Sequence, residues 1–195
     1  MQEIRALFIG LAVLSCVPRE ATGPVEVSRE KASSVLSAAV ARSAFTRELT
    51  GFGKYRGTQG LIALEGSFTL YKDASVMRLT LHGPFGGVLS VVELPNQGTL
   101  SLLFGVPDEA IADSLISATR LGSIIIMDLR LGYDTARVSL EGDKIRSLSV
   151  WGESFFFGDY RRMECGLEFP FRVDYSGKDG NASLFFEEVR LKGEE

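Results

Sequence analysis

The 195-residue chain contains one histidine and two cysteines, and this scarcity excludes several kinds of chemistry at once. Cys16 and Cys165 cannot build a disulfide framework, and no Cys/His set has the spacing of a zinc site. His82 ends an alternating run just before Gly83-Pro84, the place of a surface or edge residue rather than a catalytic base. No serine sits in a G-x-S-x-G elbow, and Gly51-Phe52-Gly53-Lys54 lacks the spacing of a phosphate loop. Glu187 and Glu188 are adjacent, which in a regular strand puts them on opposite faces, unable to share a proton or a metal. Asp159, Arg161 and Arg162 read as a solvated strand end. The sequence therefore points to neither an enzyme nor a bound cofactor. An excess of basic residues is missing too: the formal net charge is −4 and the pI near 5.2, so nucleic acid is not an expected partner. There is no apolar run of the roughly twenty residues needed to span a bilayer, no repeated βαβ unit and no low-complexity block.

What is present begins at the N-terminus. Residues 6–14 read ALFIGLAVL after Arg5, too short for a membrane span and of the right length for a signal h-region. Ser15 and Cys16 follow directly, so the segment resembles a bacterial lipoprotein signal with its lipobox. An ordinary secretory signal or an N-terminal core helix are the other readings of the same run. The resemblance implies that residues 1–15 are removed and that Cys16 becomes a lipidated N-terminus. Val17, where an aspartate would argue for retention at the inner membrane, favours the outer membrane, with the protein facing the periplasm. Residues 16–28 (CVPREATGPVEVS) are polar and turn-rich, as a flexible tether would be. Residues 29–195 fit one domain. Cys165, near the start of an apolar strand, is expected to be a buried, inert thiol.

Within that domain the periodicity changes along the chain. Ala32, Val35, Leu36, Ala39 and Val40 recur at helical spacing across residues 30–43. Period two then takes over in residues 58–72, with Ile62, Leu64, Phe68 and Leu70 on one face and Glu65, Ser67, Thr69 and Tyr71 on the other. Residues 75–82 direct Met77, Leu79 and Leu81 inward, and strands at 87–94 and 98–104 follow across Pro95-Asn96-Gln97-Gly98. Asp108 is placed to cap a helix carrying Ala110, Ile111, Leu115 and Ala118. Residues 122–132 are open between strand and helix. Their β-branched run favours a strand, while Ile125, Leu129 and the terminal Gly132 suit a short helix. Further strands are expected at 136–141, 144–151, 153–162 and 167–175, and at 182–191 after the turn Lys178-Asp179-Gly180-Asn181. The sum is roughly nine or ten strands with two inserted helical segments. Thirteen phenylalanines supply a wide apolar wall, although for any one of Phe68, Phe155, Phe157, Phe169 or Phe171 simple core filling is the expectation.

The stretch 53–103 (GKYRGTQGLIALEGSFTLYKDASVMRLTLHGPFGGVLSVVELPNQGTLSLL), with its Gly83-Pro84-Phe85-Gly86 turn, resembles the front half of a LolB-type outer-membrane lipoprotein. The later order is similar as well: a helix after the fifth strand, a second segment ending in Leu131-Gly132, and Pro170 near the start of the penultimate strand. The resemblance implies a mainly β fold with helices, a half-open antiparallel β-barrel under a helical lid, and a helix at 122–132. It implies a monomer that takes acyl chains of lipoproteins from a LolA-type carrier and meets a membrane surface, with no cofactor beyond the covalent lipid on Cys16. The inward residues Leu64, Phe68, Leu79 and Phe169 would line the ligand cavity, and Pro84, Phe85 and Gly86 would form a membrane-insertion loop. A generic lipid or glycolipid carrier, or a structural assembly lipoprotein, are alternatives on the same fold. From local sequence alone, Phe85 could equally project from its turn or fold back over the sheet edge.

Overall fold

The computed structural model describes residues 23–43, 48–73, 75–95, 111, 113–163, 166 and 168–191. Cys16, Cys165, Asp108, Ala110 and the expected strand at 98–104 lie outside them. Among the described residues a long helix, α1 (Arg29–Ser43), accompanies twelve strands: β1 (Val25–Glu26), β2 (Leu49–Gln59), β3 (Ile62–Lys72), β4 (Val76–His82), β5 (Val88–Pro95), β6 (Leu115–Leu121), β7 (Ile124–Leu131), β8 (Asp134–Glu141), β9 (Lys144–Val150), β10 (Glu153–Arg162), β11 (Glu168–Gly177) and β12 (Gly180–Leu191). They form one antiparallel sheet in the order β1-β6-β7-β8-β9-β10-β11-β12-β2-β3-β4-β5. Two meanders, β6 to β12 and β2 to β5, are joined where β12 pairs with β2 along their whole lengths. The sheet is open, ending at β1 and β5 among the described residues. Val25 and Glu26, inside the segment read as a tether, are already part of it, opposite Arg120 and Thr119.

The helix forms where its stripe of small and aliphatic side chains requires it, starting after Ser28, whose carbonyl accepts the Ala32 N–H at 3.0 Å. Its buried face (Ala32, Leu36, Ala39, Val40) lies on the inward side chains of β6 to β9, including Met127, Leu129, Val138, Leu140 and Leu148. Small residues on α1 let helix and sheet approach closely. Half of the inward face is thus closed by α1, and the half built from β2, β3, β4, β11 and β12 has its own separate cluster around Phe68 and Phe186.

Two expected helices are corrected. Residues 122–132 form the Gly122-Ser123 turn and β7, in which Ile125, Met127, Leu129 and Leu131 alternate inward. The β-branched run prevails over the helix implied by the resemblance. Of the helix expected from Asp108 to Ala118, Ile111 and Asp113 are helical among the described residues, and Leu115 to Ala118 belongs to β6. A register shift between Leu115 and Ser117 explains the difference. The extra residue, Ile116, puts Leu115 and Ala118 on the same face, so a bulged strand mimics helical spacing. The expected strand at 58–72 leaves out most of β2, because glycine fills the inward positions 51, 53 and 57 and erases the hydrophobic alternation.

The β3–β4 turn is organised by Asp73. Its Oδ1 accepts the N–H groups of Ser75 (2.7 Å) and Val76 (2.8 Å) and the Ser75 hydroxyl (2.9 Å). These bonds, led by the backbone N–H of Ser75, lower the Asp73 pKa to about 2. The Tyr71 hydroxyl donates to Glu48 and Asp73, each at 3.1 Å, and the bond to Glu48 is the main cause that raises its pKa to about 12. A depressed carboxylate stabilises the fold fully above its unfolded pKa, and that contribution disappears as pH falls through the folded value. The expected result is a turn intact at about pH 4 and lost towards about pH 2. An NMR titration of the Asp73 carboxyl checks it, and a midpoint near the ordinary value contradicts the turn geometry.

Candidate ligand-binding face

The inward face of the second half of the sheet is read from its register. Gly53 of β2 pairs with Phe68 of β3 and with Phe186 of β12, and Phe68 pairs in turn with Leu81 of β4. With no side chain at Gly51, the Phe186 ring lies against β2, 3.2 Å from where a Cβ would stand, and it meets Phe68 edge to face with centroids 4.9 Å apart. Phe169 reaches the same Phe186 ring at 5.2 Å, and Phe171 touches Phe169 at 6.1 Å. This arrangement favours aromatic quadrupoles. Phe68 is wholly buried, while Phe169, Phe171, Leu70, Leu79, Leu81, Val173 and Leu184 are only partly so. Among the described residues the helix packs on the other half, so these side chains form an apolar wall that retains exposed surface.

Of the residues expected to line a cavity, Phe68, Leu79 and Phe169 are brought together in this cluster. Leu64 shares the inward face of β3 but stands opposite Gly57, well towards the strand start, and is 39% exposed. Tyr55 and Phe186 complete the cluster and were not singled out by sequence. Phe186 was obscured by a bulge between Phe186 and Glu188. The same bulge corrects the reading of the two glutamates: Glu187 pairs with Lys54 (3.0 Å) and Glu188 with Arg190, and Glu188 sits opposite Phe52. Both carboxylates thus emerge on the outward face.

Charge on the wall is sparse. Arg161, read as part of a solvated strand end, lies with its guanidinium 4.4 Å from the Phe171 ring centre while paired to Asp159, so it edges the aromatic cluster. Lys72, flanked in register by Leu49 and Met77, puts a half-buried ammonium at the end of the wall farthest from Phe85, and burial pushes its pKa down. Neutralisation is favoured where a cation loses water without gaining a partner. A shallow depression of about 430 Å³ on the outward face is bordered by Phe52, Tyr71 and Thr80, and its arginines, Arg78 and Arg190, are paired to glutamates. His82 is on that outward face, its Nε2 3.4 Å from the Thr69 hydroxyl. Among the described residues, no three His, Cys, Asp or Glu side chains are grouped to hold a metal.

The turn between β4 and β5 is closed by Gly86 N–H to the Gly83 carbonyl (2.9 Å) and by Gly83 N–H to the Gly87 carbonyl (2.8 Å). Pro84 supplies the fixed φ that starts such a turn, and Gly86, at φ 81°, the left-handed residue that ends it. Phe85 is held at the tip between them, fully exposed.

This open antiparallel sheet with a helix across half of its inward face is a LolA-like fold. The chain is similar to a domain described as an outer membrane lipoprotein-sorting protein from Vibrio parahaemolyticus (TM-score 0.52, 9% identity, covering 86% of this chain and 95% of the other). It is similar to a LolA superfamily protein from Nitrosomonas europaea (TM-score 0.52, 8% identity, 83% and 93%). A DUF1329 family protein from Desulfovibrio piger is comparable (TM-score 0.51, 10% identity, 87% and 95%). No family model matches the chain, nor does any curated protein sequence.

Proposed function

We propose that this chain is an envelope lipoprotein of the LolB kind, held on the outer membrane through Cys16 and facing the periplasm. It accepts the acyl chains of lipidated proteins, delivered by a LolA-type carrier, on the inward wall around Phe68, Phe169 and Phe186. Phe85, presented by Pro84 and Gly86, then meets the bilayer as cargo leaves. The observation that carries the reading is the partly exposed aromatic wall beside the helix-covered half. Each methylene buried there stabilises the complex by about 0.8 kcal/mol, so an acyl chain binds without any catalytic group. Leu64 and Leu79 extend the wall along β3 and β4.

Lys72 favours a second reading, a carrier of free lipids whose anionic head would pair with its ammonium. Displacement of an environment-sensitive apolar dye separates the two. A lipidated peptide that displaces the dye while its unlipidated form does not supports the first reading. Displacement by a fatty acid but not by the neutral lipopeptide, abolished in Lys72→Met, supports the second. A monomeric, folded protein that takes up no dye and no lipid contradicts both and leaves a structural role.

A further inference from the structure

Turns at the two ends of the sheet share a geometry and differ in polarity. Gly60, Gly122, Gly132 and Gly142 each open a two-residue turn with φ of 59°, 61°, 64° and 62°. At the end away from Phe85 the residues that follow are Ser123 and Asp143, as turn chemistry favours. At the Phe85 end they are Leu61 and Tyr133, both fully exposed. The β9–β10 turn at that same end carries Trp151, 58% exposed at φ 54°. That left-handed conformation is costly for a bulky residue. The indole is nonetheless fixed, its Nε1–H donating to Asp134 Oδ2 at 3.0 Å, which ties it to the turn of Tyr133. Nothing in the turns themselves asks for large apolar side chains.

This edge is continuous with the ligand-binding face. Along the inward side of β3, exposure rises from 1% at Phe68 through 39% at Leu64 and 64% at Ile62 to full exposure at Leu61. The tips stand on separate hairpins rather than around one groove, and two of them, Tyr133 and Trp151, combine an apolar ring with a polar atom. Such side chains concentrate at the level of lipid headgroups. Lys178 is the one cation in these turns, against Asp179 in the same turn and Asp134 and Glu153 at the adjoining strand starts, so the attraction is apolar rather than directed at anionic lipid.

We propose that this end of the sheet docks on the bilayer interface, with Leu61, Phe85, Tyr133 and Trp151 entering the headgroup region together. The proposal goes beyond the single delivery turn and needs no ligand on the inward wall. Trp151 is the chain's one tryptophan and reports on it directly. The full chain is mixed with phosphatidylcholine vesicles, plain or brominated near the headgroup end of the acyl chains. The expected result is a blue-shifted Trp151 emission that brominated lipid quenches by about half or more, unchanged by added anionic lipid or by salt. Leu61→Asp with Tyr133→Asp, at exposed turn positions and with an unchanged melting curve, should abolish the quenching and leave dye displacement by lipopeptide intact. Equal emission in plain and brominated vesicles overturns the proposal, whether the protein sediments with them or not. Quenching that persists in the double variant overturns it too. So does a blue shift that grows with protein concentration in the absence of vesicles, which would assign the edge to a second copy of the chain.

Discussion

Gly53→Ala is expected to destabilise the domain by about 3 kcal/mol or more, unfolding much of it at physiological temperature. A Cβ at this position would lie 2.0 Å from the Phe185 carbonyl oxygen and 2.9 Å from the Phe186 Cα. These are backbone atoms, and no rotamer change relieves the contact. The register of β12 on β2 shifts just beyond this contact, between Phe186 and Glu188, and the Phe186 ring packs over Gly51 two residues away. The clash therefore separates the two strands that join the meanders and splits the aromatic wall. Gly87→Ala, where an added Cβ meets nothing within 4 Å, should stay within about 0.5 kcal/mol of the parent. Urea denaturation of the two variants side by side is the check, and equal midpoints would contradict the packing of β12 on β2.

Phe85→Glu is expected to leave folding and ligand binding unchanged and to reduce transfer of lipidated cargo into liposomes by tenfold or more, taking about 1.5–3 kcal/mol for the interfacial burial of one large apolar side chain. Its full exposure means that the substitution removes no internal contact. The hydrogen bonds that shape the turn are made by Gly83, Gly86 and Gly87 and do not involve its side chain. Phe85→Leu should retain transfer. A Phe85→Glu protein that transfers normally would exclude a role for this turn in delivery. One that unfolds would mean the ring is packed rather than projected.

Much of this architecture was legible because burial imposes simple periods. The helix stripe from Ala32 to Val40, the alternation of β3 and β11, and the Lys178-Asp179 turn all follow from the requirement that one face be dry. The readings failed where that period is broken. Glycines at the inward positions of β2 concealed a strand whose partners provide the side chains over it. Bulges at Ile116 and Glu187 shifted the face of every residue beyond them, creating apparent helical spacing in one case and hiding Phe186 in the other. At residues 122–132 the side chains themselves favoured the strand that forms, and the resemblance pointed the wrong way. For the candidate site, Phe68, Leu79 and Phe169 were identifiable as inward residues, since each lies in a regularly alternating strand. Their convergence on Phe186 depends on β12 pairing with β2 across more than a hundred residues of sequence, a contact that no local pattern encodes. Locally Trp151 is only the end of a strand, because its placement beside Tyr133 requires the register of β8 on β9.

On the function proposed above, acyl chains lie on the partly exposed wall beside the helix-covered half. Photocrosslinking with a lipidated peptide that carries a diazirine near the end of its acyl chain tests it most directly, with the modified residues mapped by mass spectrometry. Adducts are expected on β3, β11 and β12 at Leu64, Phe169, Phe171 and neighbouring inward positions, suppressed by excess unlabelled lipopeptide and not by unlipidated peptide. Adducts confined to the outward face around Phe52 and Tyr71, or spread over the surface without competition, would contradict it.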